Sequence, residues 1–161
     1  MTSVAFHGIV CPGYGIASKG SAKTQNLVSN IYEDRRIVTV DQTVFRQFPF
    51  FVEAGVPDIE NMHPGTINVD ISPHEFYIAA PDHEVTCEWI DGVRETFWLT
   101  ATTLSFNNHE YNAYIYYPCV SEQHVARNSI VEIIAEHIGG IEYGVSVELI
   151  LDIEKTPVTL S

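Results

Sequence analysis

The stretch EVTCEWIDGVRETFWLTATTLSFNNHEYNAYIYYP, residues 84–118, decides the fold class. It is dense in Val, Ile, Thr, Phe, Tyr and Trp, the residues that suit a pleated, half-buried surface. Two interruptions divide it. Asp91-Gly92 is a favoured two-residue hairpin turn. Asn107-Asn108-His109-Glu110 separates TTLSF from YNAYIYYP as a second, four-residue turn. Two successive hairpins of long strands predict a β-protein.

Working outward, VAFHGIVC (4–11) reads as a first strand, and PGYGIASKGS (12–21) as a turn-rich loop. Residues 24–32 suit a short helix or a strand, and RRIVTVDQTVFRQF (35–48) carries β alternation at Ile37, Val38 and Val40. Residues 49–65 hold Pro49, Gly55, Pro57, Pro64 and Gly65, which predicts loop with at most a short turn of helix. Thr66–Ile71 alternates as a strand, with Ile67, Val69 and Ile71 on one face and Thr66, Asn68 and Asp70 on the other. An acidic connection with Pro73 and Pro81 follows. SIVEIIAEHI (129–138), with Ser129 as N-cap, is the best helix candidate, although its Ile and Val suit a strand equally. YGVSVELILDI (143–153) closes the chain as a strand. Many short strands and little helix imply an all-β fold with minor α content, a barrel or a sandwich. No linker or repeat divides residues 1–161, so a single domain is expected.

The bulk composition narrows the function classes. With 161 residues, 45% hydrophobic and 18% charged, the chain can bury a core. No apolar run reaches membrane-spanning length and no secretory leader is recognisable, so a cytoplasmic protein without membrane partners is expected. Cys11, Cys87 and Cys119 form no CxxC and are expected as thiols. A net charge of −13 repels nucleic-acid phosphates, so nucleic acid is not an expected partner. Lys19, Lys23, Arg35 and Arg36 nevertheless cluster beside the Gly-rich loop, either as a solvated segment or as a contact for a phosphorylated ligand.

Three constellations could carry chemistry. Residues 13–18, GYGIAS, have glycines that let backbone N–H groups approach a phosphate, but they form no Walker loop and also read as a plain turn. Thr66 and Asn68 project from one strand face about 7 Å apart. Their hard neutral oxygens suit Mg²⁺, which keeps waters and completes its shell with substrate phosphates. The alternative is a polar strand face. Glu132, within IVEIIA, either faces solvent or is a carboxylate that needs a partner among apolar neighbours. His63, His74 and His83 match no zinc spacing.

Taken in order, GIVCPGYGIA (8–17), PGTINV (64–69), DGVRETFWLTATTLSFNNHEYNAYIYYP (91–118) and IVEIIA (130–135) resemble the archaeal CTP-dependent riboflavin kinase family over about two-thirds of the chain. The resemblance implies a small six-stranded β-barrel of the cradle-loop type. It also implies transfer of a phosphoryl group from CTP to riboflavin, giving FMN. Thr66 and Asn68 would hold Mg²⁺. Gly13, Tyr14, Gly15, Ile16, Ala17 and Ser18 would cradle the nucleotide, and Glu132 would serve the flavin hydroxyl.

The chain also departs from the pattern. Ala17 stands for a third loop glycine, His124 for a Thr that contacts flavin phosphate, and Glu136 for the Pro after E-I-I-A. HIGGIEYG (137–144) lacks the basic residues that help hold the nucleotide, and residues around 19–60 form an insertion. These departures leave a second expectation open, a non-catalytic nucleotide- or flavin-binding barrel. Nothing in the sequence fixes the oligomeric state.

Overall fold

A computed structural model describes residues 2–12, 43–119 and 129–160. The strands in chain order are β1 (Ser3–Cys11), β2 (Ile67–Asp70), β3 (His74–Phe76), β4 (His83–Ile90), β5 (Val93–Phe106), β6 (His109–Pro118), β7 (Ile130–Ala135), β8 (Ser146–Asp152) and β9 (Val158–Leu160). Among the described residues, one α-helix, α1 (Thr43–Glu53), and a 3₁₀ turn at Ile59–Asn61 precede β2.

The sheet runs β4-β5-β6-β7-β2-β1-β8, and an extra pairing of β5 with β8 closes it. Strands β5, β6, β7, β2, β1 and β8 thus make a closed six-stranded antiparallel barrel, as expected, with β4 attached outside the ring. The 14-residue β5 makes closure possible. Its first half pairs with β4 from Val93 to Leu99, and its second half pairs with β8 through Thr103, Leu104 and Ser105. Between the two partners, the Ala101 N–H donates to Asp82 Oδ2 at 2.8 Å instead of to a strand. Thr102 Oγ1 then donates to Ile150 O at 2.8 Å and ties β5 to β8.

Alternation along the strands sorts the apolar residues into two cores. The barrel interior holds Val10, Val69, Leu104, Ile115, Ile133 and Leu149, all buried. The second core lies outside the barrel wall, where Phe97, Leu99, Tyr116 and Ile134 meet Val44, Phe48 and Phe51 of α1. Close packing in the first core requires glycine at position 8, where a Cβ would come within 2.3 Å of Val69 Cγ1. The small sheet of β3 and β9 adds Phe76 and Val158 to that core.

Three local expectations are corrected. Residues 43–53 are helical, not strand and loop. Val44, Gln47, Phe48 and Phe51 recur at helical spacing and are buried, while Pro49 is exposed. Gly55, at φ 86°, ends the helix in a Schellman motif, with Val56 N–H donating to Phe51 O and Gly55 N–H to Val52 O. Residues 130–135 form a strand, not a helix. Apart from Glu132 their run is apolar, because β7 is covered on both faces, by the barrel interior and by α1. The second hairpin turn is two residues rather than four. Asn107 (φ 57°) and Asn108 (φ 65°) form it, and His109 already pairs with Phe106.

Candidate functional site

The polar face of PGTINV lies on the outer wall of the barrel. Val69 and Ile71 fill the interior with no exposure, so the opposite face of β2 carries Asn68 and Asp70. Asp70, the last residue of β2, braces the turn that follows: its Oδ1 accepts from Ser72 N at 2.9 Å and from Ser72 Oγ at 2.6 Å.

Asn68 differs. It is 8% exposed, and its Oδ1 is buried with no hydrogen-bond partner. An orphaned amide oxygen costs about 1–3 kcal/mol, so this position is arranged against stability.

The antiparallel register sets Asn68 between Cys11 of β1 and Glu132 of β7. Directly opposed residues share a face, with Cα atoms about 4.5–5.5 Å apart. Continuing the β6–β7 register by one residue sets Tyr116 beyond Glu132. Tyr116 is itself fixed, because its hydroxyl donates to the buried Gln47 Oε1 of α1 at 2.7 Å. Helix α1 therefore contributes a wall to the same outer face. Thr66 is half-buried and immediately precedes β2, two residues from Asn68.

Glu132 is half-buried by its side-chain exposure, yet dense protein surrounds its carboxyl. Burial, and secondarily the Glu95 carboxylate, push its pKa up to about 7. The expectation that Glu132 faces solvent is thereby set aside in favour of a carboxylate under electrostatic stress. Glu95 is buried on β5 and accepts from Trp89 Nε1 at 3.1 Å. Sequence reading missed Glu95, although its place between Val93 and Phe97 in the alternation already sets it on an apolar face.

The donor set fits a hard divalent cation. The orphaned Asn68 Oδ1 and the Thr66 hydroxyl are neutral oxygen donors, too few for an all-protein cage, with the Glu132 carboxyl beside them. That suits Mg²⁺ sharing its shell with waters and phosphate oxygens. Among the described residues, no group of three His, Cys, Asp or Glu could hold a metal. The histidines are dispersed, with His74 against Phe6, His63 against His137 and His83 against Tyr114.

The glycine loop Gly13–Ser18, the basic span Lys19–Arg36 and His124 lie outside the described residues. The structure therefore brings together Asn68 and Glu132, with Thr66 beside them, and adds Cys11, Tyr116 and Glu95. No helix among the described residues is long and apolar enough to cross a membrane. No family model matches the chain, and no curated protein matches it.

Proposed function

We propose that the protein is a Mg²⁺-assisted phosphotransferase that uses a nucleoside triphosphate, CTP by resemblance, to phosphorylate riboflavin to FMN. The observation that carries this reading is the opposition of Asn68 and Glu132 across β2 and β7, with the Asn68 oxygen buried and unpartnered. A buried acceptor without a donor is a cost that ligand binding would offset.

In this reading the ribityl 5′-hydroxyl oxygen attacks the terminal phosphorus. The bond to the bridging oxygen breaks, and the nucleoside diphosphate leaves. Such chemistry needs positioning and charge neutralisation more than covalent help from the protein. Glu132 accepts the hydrogen bond of the attacking hydroxyl and takes its proton. Asn68 and Thr66 would hold Mg²⁺, which when bound would neutralise charge on the phosphate oxygens. By the resemblance, Gly13–Ser18 would supply backbone donors to the nucleotide, and His124 would contact the flavin phosphate.

A second reading is a barrel that binds nucleotide or flavin without turnover. It is favoured by one observation, the lack of any Lys or Arg in residues 136–144. Charge-assisted bonds that such residues would make are worth about 1.5–3 kcal/mol each.

One experiment separates the two. The purified chain is incubated with riboflavin, Mg²⁺ and CTP, ATP, GTP or UTP in turn, and FMN is followed by chromatography. FMN that disappears in a Thr66→Ala/Asn68→Ala double variant supports the kinase. A flavin- or nucleotide-dependent rise in Tm without FMN supports the binder. Neither response would overturn both.

A further inference from the structure

A second concavity lies beside the connection that follows the C-terminal end of α1. Residues of the connection Pro57–Met62, with Ala101 and Thr102 of β5 and Asn112 and Tyr114 of β6, line a half-open cleft of about 400 Å³. This falls within the range of small-molecule sites, roughly 300–1,000 Å³. Glu136, at the end of β7, closes one side. Glu132 lies four residues back along that strand, about 13 Å away at strand rise. Between the two, Ile134 is fully buried in the helix-covered core. The cleft is therefore separate from the Asn68–Glu132 site.

Its lining has a definite chemical bias. Asp58 and Glu136 supply carboxylates and Asn61 and Asn112 supply carboxamides, and among the described residues no Lys, Arg or His lines it. Met62, Ala101 and Ala113 add apolar surface between them. The connection is pinned in place, since Tyr114 Oη donates to Pro57 O at 2.8 Å and Asn61 N to Asp58 O at 3.0 Å. The wall is thus preformed and does not have to be ordered by a ligand. Negative potential reaches the floor of the cleft. Burial first, and then the Asp58 and Asp82 carboxylates, raise the Tyr114 phenol above its ordinary range. Asp82 is paired with the Lys155 ammonium, so the net bias comes from Asp58 and Glu136, which disfavour an anion such as a phosphate and attract a cation.

We propose that this cleft binds a small organic cation, an ammonium or guanidinium group on a short carbon stem. The charged head sits between Asp58 and Glu136, and the stem lies along Met62 and Ala101. Asn61 and Asn112 offer carbonyl oxygens to the remaining N–H groups.

The test is a titration of the full ¹⁵N-labelled chain with agmatine, alongside neutral sorbitol and anionic citrate. Saturable shifts of the Asn61, Ala101 and Asn112 amides are expected with agmatine alone. Asp58→Asn and Glu136→Gln should each weaken binding by about tenfold, the scale of one charge-assisted bond. Asn is tolerated at the left-handed φ of 61° that Asp58 adopts, so the first variant keeps the wall intact. Glu88→Gln serves as the control. Glu88 pairs with Arg94, about 20 Å along β5 from Ala101, and its substitution should leave affinity unchanged. Equal weakening in that control would reduce the effect to the general acidic field and overturn the proposal. So would saturable sorbitol binding indifferent to Asp58→Asn and Glu136→Gln, or no saturable shift at these amides. FMN formation is expected to be unaffected by Asp58→Asn and Glu136→Gln, so failure here is distinguishable from failure of the kinase reading.

Discussion

Asn68 on β2 and Glu132 on β7 stand directly opposite each other, and the Asn68 side-chain oxygen is buried without a donor. A strand position with Val69 and Ile71 beside it would be served better, for folding alone, by another β-branched residue. Asn68→Val is therefore expected to raise unfolding free energy by about 1 kcal/mol in the absence of ligand, while abolishing FMN formation. Urea unfolding and the FMN assay read the two effects separately. A clear loss of stability in Asn68→Val would show that the amide has a structural role and would remove the main support for a ligand site.

Glu132 gives the site a pH signature in the unliganded protein. Burial and the nearby Glu95 place its folded pKa at about 7, against an ordinary value of 4.5. Between those values the folded state holds more protons than the unfolded state, so stability falls as pH rises through this window. The loss, complete above the folded pKa, amounts to at most about 3 kcal/mol. Glu132→Gln should flatten the profile between pH 4.5 and 7.5 and be the more stable form at pH 8. Chemical denaturation without divalent cations at a series of pH values checks this. A Glu132→Gln profile that still falls as steeply would assign the dependence to other groups.

The hairpins were legible because Asp91-Gly92 and Asn107-Asn108 carry their turn chemistry locally. The strand β7 was ambiguous because Ile130–Ala135, apart from Glu132, is apolar on both faces, and a run without clear alternation fits a buried strand and a helix alike. The helix α1 was obscured by Pro49 and by the Phe and Val content of residues 44–52, which have weak intrinsic helix preference. Tertiary burial of its Val44–Phe51 stripe decides the outcome. Thr66, Asn68 and Glu132 could be singled out one at a time. Their assembly depends on the β2–β7 pairing, which no local signal specifies. Barrel closure through β5 and β8 is non-local in the same sense.

That closure has a point of vulnerability at Asp82. Its carboxylate accepts the Ala101 N–H where β5 changes partner, and it also pairs with Lys155. Burial opposes its ionisation, but the Lys155 ammonium and the Ala101 N–H outweigh it and hold the pKa below the usual carboxylate range. The stabilisation is therefore present above the unfolded pKa and lost as pH falls through the depressed folded value. Asp82→Ala should cost about 1 kcal/mol at neutral pH. Asp82→Asn, which keeps an acceptor for Ala101, should cost less. Hydrogen exchange at Ala101 is the local readout, and unchanged protection in Asp82→Ala would show that this contact does not hold the strand switch.

The barrel wall itself is tested at Gly8. A methyl group there would meet Val69 Cγ1 at 2.3 Å and Asp70 O at 3.3 Å, in a strand adjoining the Asn68–Glu132 pair. Val69 is fully buried and packed in the interior, so relief requires β1 and β2 to separate slightly. Gly8→Ala is expected to destabilise by about 1–3 kcal/mol and to weaken function through displaced Asn68. The contact at 2.3 Å is with a side chain, so removing that side chain is a direct check. Gly8→Ala/Val69→Ala should recover part of the loss relative to the sum of the single variants, a positive coupling readable from a double-mutant cycle. Strict additivity of the two substitutions would mean that the close approach of β1 to β2 is set elsewhere along the strand pair.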